Sequence, residues 1–184
     1  MALRLPRQLT SYSGKRINRA PSPVLAVGVP WLTVMLASLV PLSPVIASAP
    51  VLPPIGFILL LAWRQVRPGL LPVWAGLPLG AFDDQFSGQP FGSGILLWSL
   101  AMIVSDLVDM RFPWRNFALE WLVAASLIAA SLALGVVFAN ATGAAATIEL
   151  ILPQLAISIL LFPLACRLVA RFDRFRLLPF REID

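Results

Sequence analysis

Gly76-Leu77-Pro78-Leu79-Gly80-Ala81-Phe82-Asp83-Asp84-Gln85-Phe86-Ser87-Gly88-Gln89-Pro90-Phe91-Gly92 is an apolar, glycine-punctuated run that ends in two adjacent carboxylates and continues through a small-residue loop. Carboxylates are costly near the middle of a bilayer, so acids that close an apolar run need a partner, a cavity or water. Gly76 and Gly80 have the GxxxG spacing, and Gly88 and Gly92 repeat it in the loop. Small residues four apart let helix backbones approach closely, within one chain or between chains. Pro78 lies between the first two glycines, which predicts a kink or a local break there.

The residues around this stretch say what solvent it meets. Of 184 residues, 59% are hydrophobic and 12% charged, more apolar surface than a soluble domain of this size can hide. The apolar runs fall at about 24–46, 51–63, 70–82, 91–110, 117–138 and 147–170. Ala47-Ser48-Ala49 has the form of a signal-peptidase site, but the long basic region before it and Pro50 after it favour a first membrane span instead. Pro53 and Pro54 open the second run, where proline is tolerated in the first turn of a helix. Joining residues 51–82 into one helix would put Arg64 and Arg67 near its centre, at roughly 3 kcal/mol each. A hairpin with a basic turn avoids that cost. The expectation is an all-α integral membrane protein with six transmembrane helices, a membrane domain at 23–170, and basic tails at 1–22 and 171–184, the second partly an amphipathic helix.

The charge distribution orients the six runs. Arginine and lysine cluster in the N-terminal tail, at 64–67, at 111–115 and from 167 onward, which all fall on one side. The opposite loops, near 41–53, 83–90 and 140–147, contain neither residue. By the positive-inside rule both termini are cytoplasmic, and the formal charge of +5 needs no nucleic acid to explain it.

The chain has no histidine and one cysteine, Cys166, expected to be a small buried thiol. Disulfides within one chain, His/Cys zinc sites and Ser-His or Cys-His catalysis are excluded, including a serine protease built on Gly92-Ser93-Gly94. No Walker loop or dinucleotide glycine pattern occurs, so there is no positive case for an enzyme, a cofactor or a metal. Asp83 and Asp84 could bind a hard cation or relay a proton, yet calcium usually takes six or more oxygens. A solvated pair that caps neighbouring backbone donors is the simpler reading.

Two further groups stand out. Asp106 and Asp109 share a helical face near the inner end of the fourth run, with Glu120 at similar depth and Arg64, Arg67, Arg111, Arg115 and Arg167 on the same side. Paired interfacial ions are expected there, with an acidic binding pocket as the rival. Arg167, Arg171 and Arg174 recur at i, i+4, i+7, while Leu168, Phe172 and Phe175 fall on another face. That is a basic amphipathic continuation of the sixth helix, suited to anionic lipid or to a cytoplasmic partner. Thr147 is a candidate cap for that helix, with Glu149 in its first turn and Gln154 and Ser158 as interhelical glue.

The order of these pieces resembles the rod shape-determining MreD family: Pro53 leading into Phe57-Ile58-Leu59-Leu60-Leu61-Ala62-Trp63, then Gly76, Gly80, Asp84, Ser87-Gly88 and Gly92, and later Arg115-Asn116-Phe117-Ala118-Leu119. The similarity is clearest over residues 53–121. Asp84 occupies the family's acidic position, and Asp83 replaces what is usually an apolar residue. The resemblance implies a non-enzymatic subunit of the cell-elongation complex in the bacterial inner membrane. It implies association with MreC and, more distantly, with MreB, RodZ, RodA and the class B penicillin-binding transpeptidase. It also implies a fold like the six-helix substrate-binding subunits of energy-coupling-factor vitamin transporters, which supplies the alternative function, small-molecule binding or uptake.

Overall fold

The computed structural model describes residues 19–20, 23–42, 52–112, 116–143, 148–176 and 181–182. Six α-helices follow in order: α1 (Pro23–Ser38), α2 (Ile55–Val66), α3 (Gly76–Asp84), α4 (Ser93–Arg111), α5 (Phe117–Ala141) and α6 (Leu152–Arg176). Short 3₁₀ segments at Val40–Leu42, Val73–Ala75 and Ile148–Ile151 extend α1 and lead into α3 and α6. Apart from a two-residue antiparallel pairing of Arg19–Ala20 with Arg181–Glu182, the described chain is helical.

Four helical stretches are long and apolar enough to cross a bilayer: Val24–Leu42, Ser93–Arg111, Phe117–Ala141 and Leu152–Arg176. The runs expected as spans two and three are shorter. The pair Pro53-Pro54 and the Arg67-Pro68-Gly69 turn confine α2 to 12 residues, or about 18 Å. Leu70 to Pro72 are not helical, and α3 has 9 residues. The expected break is present, because α2 stops at Val66 and Gly69 turns the chain at φ +82°, but α3 does not fold back along α2 as a hairpin; it packs on α4 and α1.

The shortness of α2 follows from its place. Every residue from Gly56 to Arg64 is buried, as a helix apolar all round requires. It is the central post of the bundle, packed against α1, α4, α5 and α6. Its neighbours, not lipid, cover it. The outer helices show the complementary pattern: Leu96, Leu100, Ile103, Leu107 and Met110 form an exposed apolar stripe on α4, the face a lipid solvent demands.

Prolines inside two long helices free backbone carbonyls, and other segments satisfy them. Pro30 has no N–H for the carbonyl of Ala26, and Arg176 Nη1 donates to that oxygen at 2.9 Å. Pro163 likewise leaves the Ile159 carbonyl open, and Trp121 Nε1 donates to it at 3.1 Å. The first contact also brings the start of α1 to the end of α6, so both ends of the helical bundle's chain lie on one side. Trp121→Phe removes the second bond, and a loss of about 1 kcal/mol is expected as a small drop in the thermal midpoint.

Candidate functional site

Residues 76–92 fold into a corner in which α3 and α4 are joined by backbone contact and by one carboxylate. α4 begins at Gly92, whose φ of +99° suits glycine and which offers no capping side chain of its own. The first N–H groups of α4 would therefore lack acceptors. Asp84, at the end of α3 and only 6% exposed, supplies them. Its Oδ2 accepts from Gly92 N at 2.8 Å and Ile95 N at 3.3 Å, and its Oδ1 accepts from Gly94 N at 2.7 Å. The negative charge meets the positive end of the α4 dipole. Ser93 Oγ donates to the Pro90 carbonyl at 2.7 Å and fixes the loop before the helix.

The glycines let the two helices come close enough for this bond. A Cβ on Gly76 would stand 2.8 Å from the Ser99 and Trp98 backbone, and one on Gly80 would stand 2.5 Å from the Gly94 carbonyl oxygen. A Cβ on Gly94 would in turn lie 2.6 Å from Asp84 Oδ1. The GxxxG face is thus used inside the chain. Pro78 is accommodated near the start of α3, and the break falls before Gly76, where a 3₁₀ turn precedes the α-helix. Gly88 (φ +71°) turns the connecting loop, and Ser87 Oγ lies 3.5 Å from Gln89 N. Asp83 is half-buried beside Ser38; its backbone carbonyl accepts from Phe86 N and Ser87 N, both at 2.9 Å. Pro53, partly buried, precedes α2 and is remote in sequence from this corner.

Two ion clusters lie at the end of α2, the first of them reaching the far end of α4. Arg64, 4% exposed, reaches from α2 to Asp106 and Asp109 on α4, with Nη2 3.1 Å from Asp109 Oδ2. Two carboxylates opposite one guanidinium offset the cost of burying it. This residue is therefore buried and paired where the sequence suggested an interfacial turn. Glu120 enters through its backbone carbonyl, which accepts from Gln65 Nε2 at 2.8 Å. Arg111 is exposed, and Arg115 and Thr147 lie outside the described residues. Asn116 Oδ1 caps α5 by accepting from Leu119 N at 2.9 Å.

The second cluster centres on Asp173, a residue that sequence reasoning passed over. Its Oδ2 pairs with Arg67 Nη2 at 2.7 Å and its Oδ1 with Arg176 Nη2 at 2.8 Å. The hydrogen bond and charge of Asp173 raise the Arg67 pKa above its ordinary value. Together with the Arg176 bond to Ala26, this ties the ends of α2 and α6 to the start of α1. A signal was present: Ser158, Phe162, Ala165, Val169, Asp173 and Arg176 follow one helical line, and all are buried. Arg67 is half exposed, so Arg67→Gln is expected to lower the thermal midpoint in detergent only slightly.

On α6, Arg167, Arg171, Arg174 and Phe175 are exposed and Phe172 is partly buried. Cys166 is half-buried, not fully enclosed. Gln154 Nε2 donates to the Leu52 carbonyl at 2.6 Å, and Ser158 Oγ to the Gln154 carbonyl at 2.6 Å. Between the α3–α4 loop, α5 and the start of α6 is an open cavity of about 550 Å³, with Ser87, Gln89, Thr142 and Gln154 among its polar lining residues. Comparison of the chain with protein-family models, curated proteins and solved structures gives no match.

Proposed function

We propose that this chain is a non-enzymatic, multi-pass subunit of the bacterial inner membrane that binds MreC and thereby regulates peptidoglycan synthesis and cell shape. MreB, RodZ, RodA and the class B penicillin-binding transpeptidase are its more distant partners. All six helices enter the bilayer in this reading, four at full length, with the arginine-rich end and both tails in the cytoplasm. One observation supports it above others. Gly76, Gly80, Asp84 and Gly92, the positions that carry the likeness to the MreD family, are also the residues that lock α3 to α4. A motif that acts as one structural unit is a better guide than the same residues scattered over the fold. Depleting the chain from a rod-shaped host is expected to give rounded cells. Unchanged rods after full depletion would remove the proposal.

The cavity of about 550 Å³ favours a second reading. Its size is that of a small-molecule site, and its glutamines, serine and threonine can hydrogen-bond a polar solute. Native mass spectrometry of the purified chain separates the two. A stoichiometric small molecule lost on Gln154→Leu would favour binding or uptake; a ligand-free chain would favour the scaffold.

A further inference from the structure

Two sets of arginines stand out among the described residues of the helical bundle. Arg64, Arg67 and Arg176 are each held by a carboxylate. Arg167, Arg171 and Arg174 are exposed, and among the described residues none of their side chains has an ion pair or hydrogen bond. These three lie on the side of α6 opposite its buried line. Along the helix from them, toward its start, Leu160 and Leu164 are also exposed.

The face therefore changes once along its length, from leucine to arginine. An anionic phospholipid has the same order, from acyl chain to phosphate. Arg167 and Arg174 are about 10 Å apart along the axis at 1.5 Å per residue. That is enough to run through a headgroup layer roughly 5–8 Å deep. Guanidinium groups favour phosphate through paired N–H donors, and nothing else in the described chain competes for them.

We propose that this stripe is a seat for anionic phospholipid, with acyl chains along Leu160 and Leu164 and phosphate oxygens on Arg167, Arg171 and Arg174. The seat rests on the membrane reading of α6 and is independent of any MreC contact. It fixes the depth of α6 at the arginine-rich side and holds the end of the helix in line, where Asp173 and Arg176 knit the bundle together.

The test uses the full chain in nanodiscs made from equal parts phosphatidylglycerol and phosphatidylcholine. Native mass spectrometry counts the lipids retained after the disc is dissociated. The wild-type chain is expected to keep phosphatidylglycerol preferentially. Combining Arg167→Gln, Arg171→Gln and Arg174→Gln is expected to cut that preference on the order of 100-fold. Arg171→Gln alone, expected to cut it roughly fivefold, serves if the triple variant does not fold. A wild-type chain with no preference, or variants that retain it, would overturn the seat. So would full displacement of the lipid by inorganic phosphate at matched ionic strength, because the acyl chains would then play no part. Alkaline carbonate extraction is read alongside. Release of the wild-type chain from membranes would overturn the membrane reading itself, whereas a retained chain without lipid preference would overturn only the seat.

Discussion

Asp84→Ala is expected to lower the thermal midpoint of the purified chain more than Asp83→Ala, by about 6–12 °C for a loss near 3 kcal/mol. One carboxylate accepts three N–H groups at the start of α4, and glycine at the cap position can replace none of those bonds. Removing it leaves donors without acceptors at a mostly buried site and removes a charge from the favourable end of the helix dipole. Asp84→Asn keeps the shape but turns one acceptor into a donor that faces N–H groups, so it should recover only part of the loss. Asp83 accepts none of these N–H groups, and Asp83→Ala is expected to stay within about 1 kcal/mol. In cells the same order should appear in shape control. Equal midpoints for the two alanine variants would remove the cap from the account.

Gly80→Ala is expected to cost about 2–3 kcal/mol, although one methyl group is all it adds. The new Cβ would stand 2.5 Å from the Gly94 oxygen, 2.7 Å from its carbon and 2.9 Å from Ile95 Cα. All are backbone atoms of α4, so no side chain can turn aside and α3 must move away. That movement also withdraws Asp84 from the N–H groups it caps. The two changes should therefore be less than additive in a double-mutant cycle. Gly28→Ala is the control, because nothing lies within 4 Å of a Cβ there; it should be neutral or slightly stabilising through helix propensity. A thermal shift assay in one detergent compares all three. Gly80→Ala as harmless as Gly28→Ala would mean that α3 and α4 are not in backbone contact.

The apolar runs, the break at Arg67-Pro68-Gly69 and the importance of the Gly76 to Gly92 stretch were legible in the sequence, because hydropathy, proline and glycine act locally. What Asp84 does was legible only as a type, a capping carboxylate; the expected solvated pair is instead one buried cap, with Asp83 accepting none of the α4 N–H groups. The target of Asp84 is eight to eleven residues away, across a loop whose path depends on positive φ at Gly88 and Gly92. The choice between packing within the chain and between chains was open for the same reason, since GxxxG names a close approach and not the partner. The shortness of the second run, 51–63, was legible, but its setting was not: a bilayer sets the length only of a helix that faces lipid, whereas α2 faces protein along its buried length. Asp173 was hidden among four arginines by its neighbours in sequence, although its helical line marks it as buried. The carbonyls freed by Pro30 and Pro163 have partners in distant segments. No local pattern could supply those.

The claim that this chain is a scaffold for MreC is tested most directly by affinity purification from native membranes after brief crosslinking. The chain carries the tag, and an unrelated multi-pass protein carries the same tag as control. The account predicts that MreC is enriched with the tagged chain over the control, and that the enrichment falls for Gly80→Ala and Asp84→Ala at matched protein levels. Recovery of the intact chain in quantity with MreC no higher than in the control would contradict it.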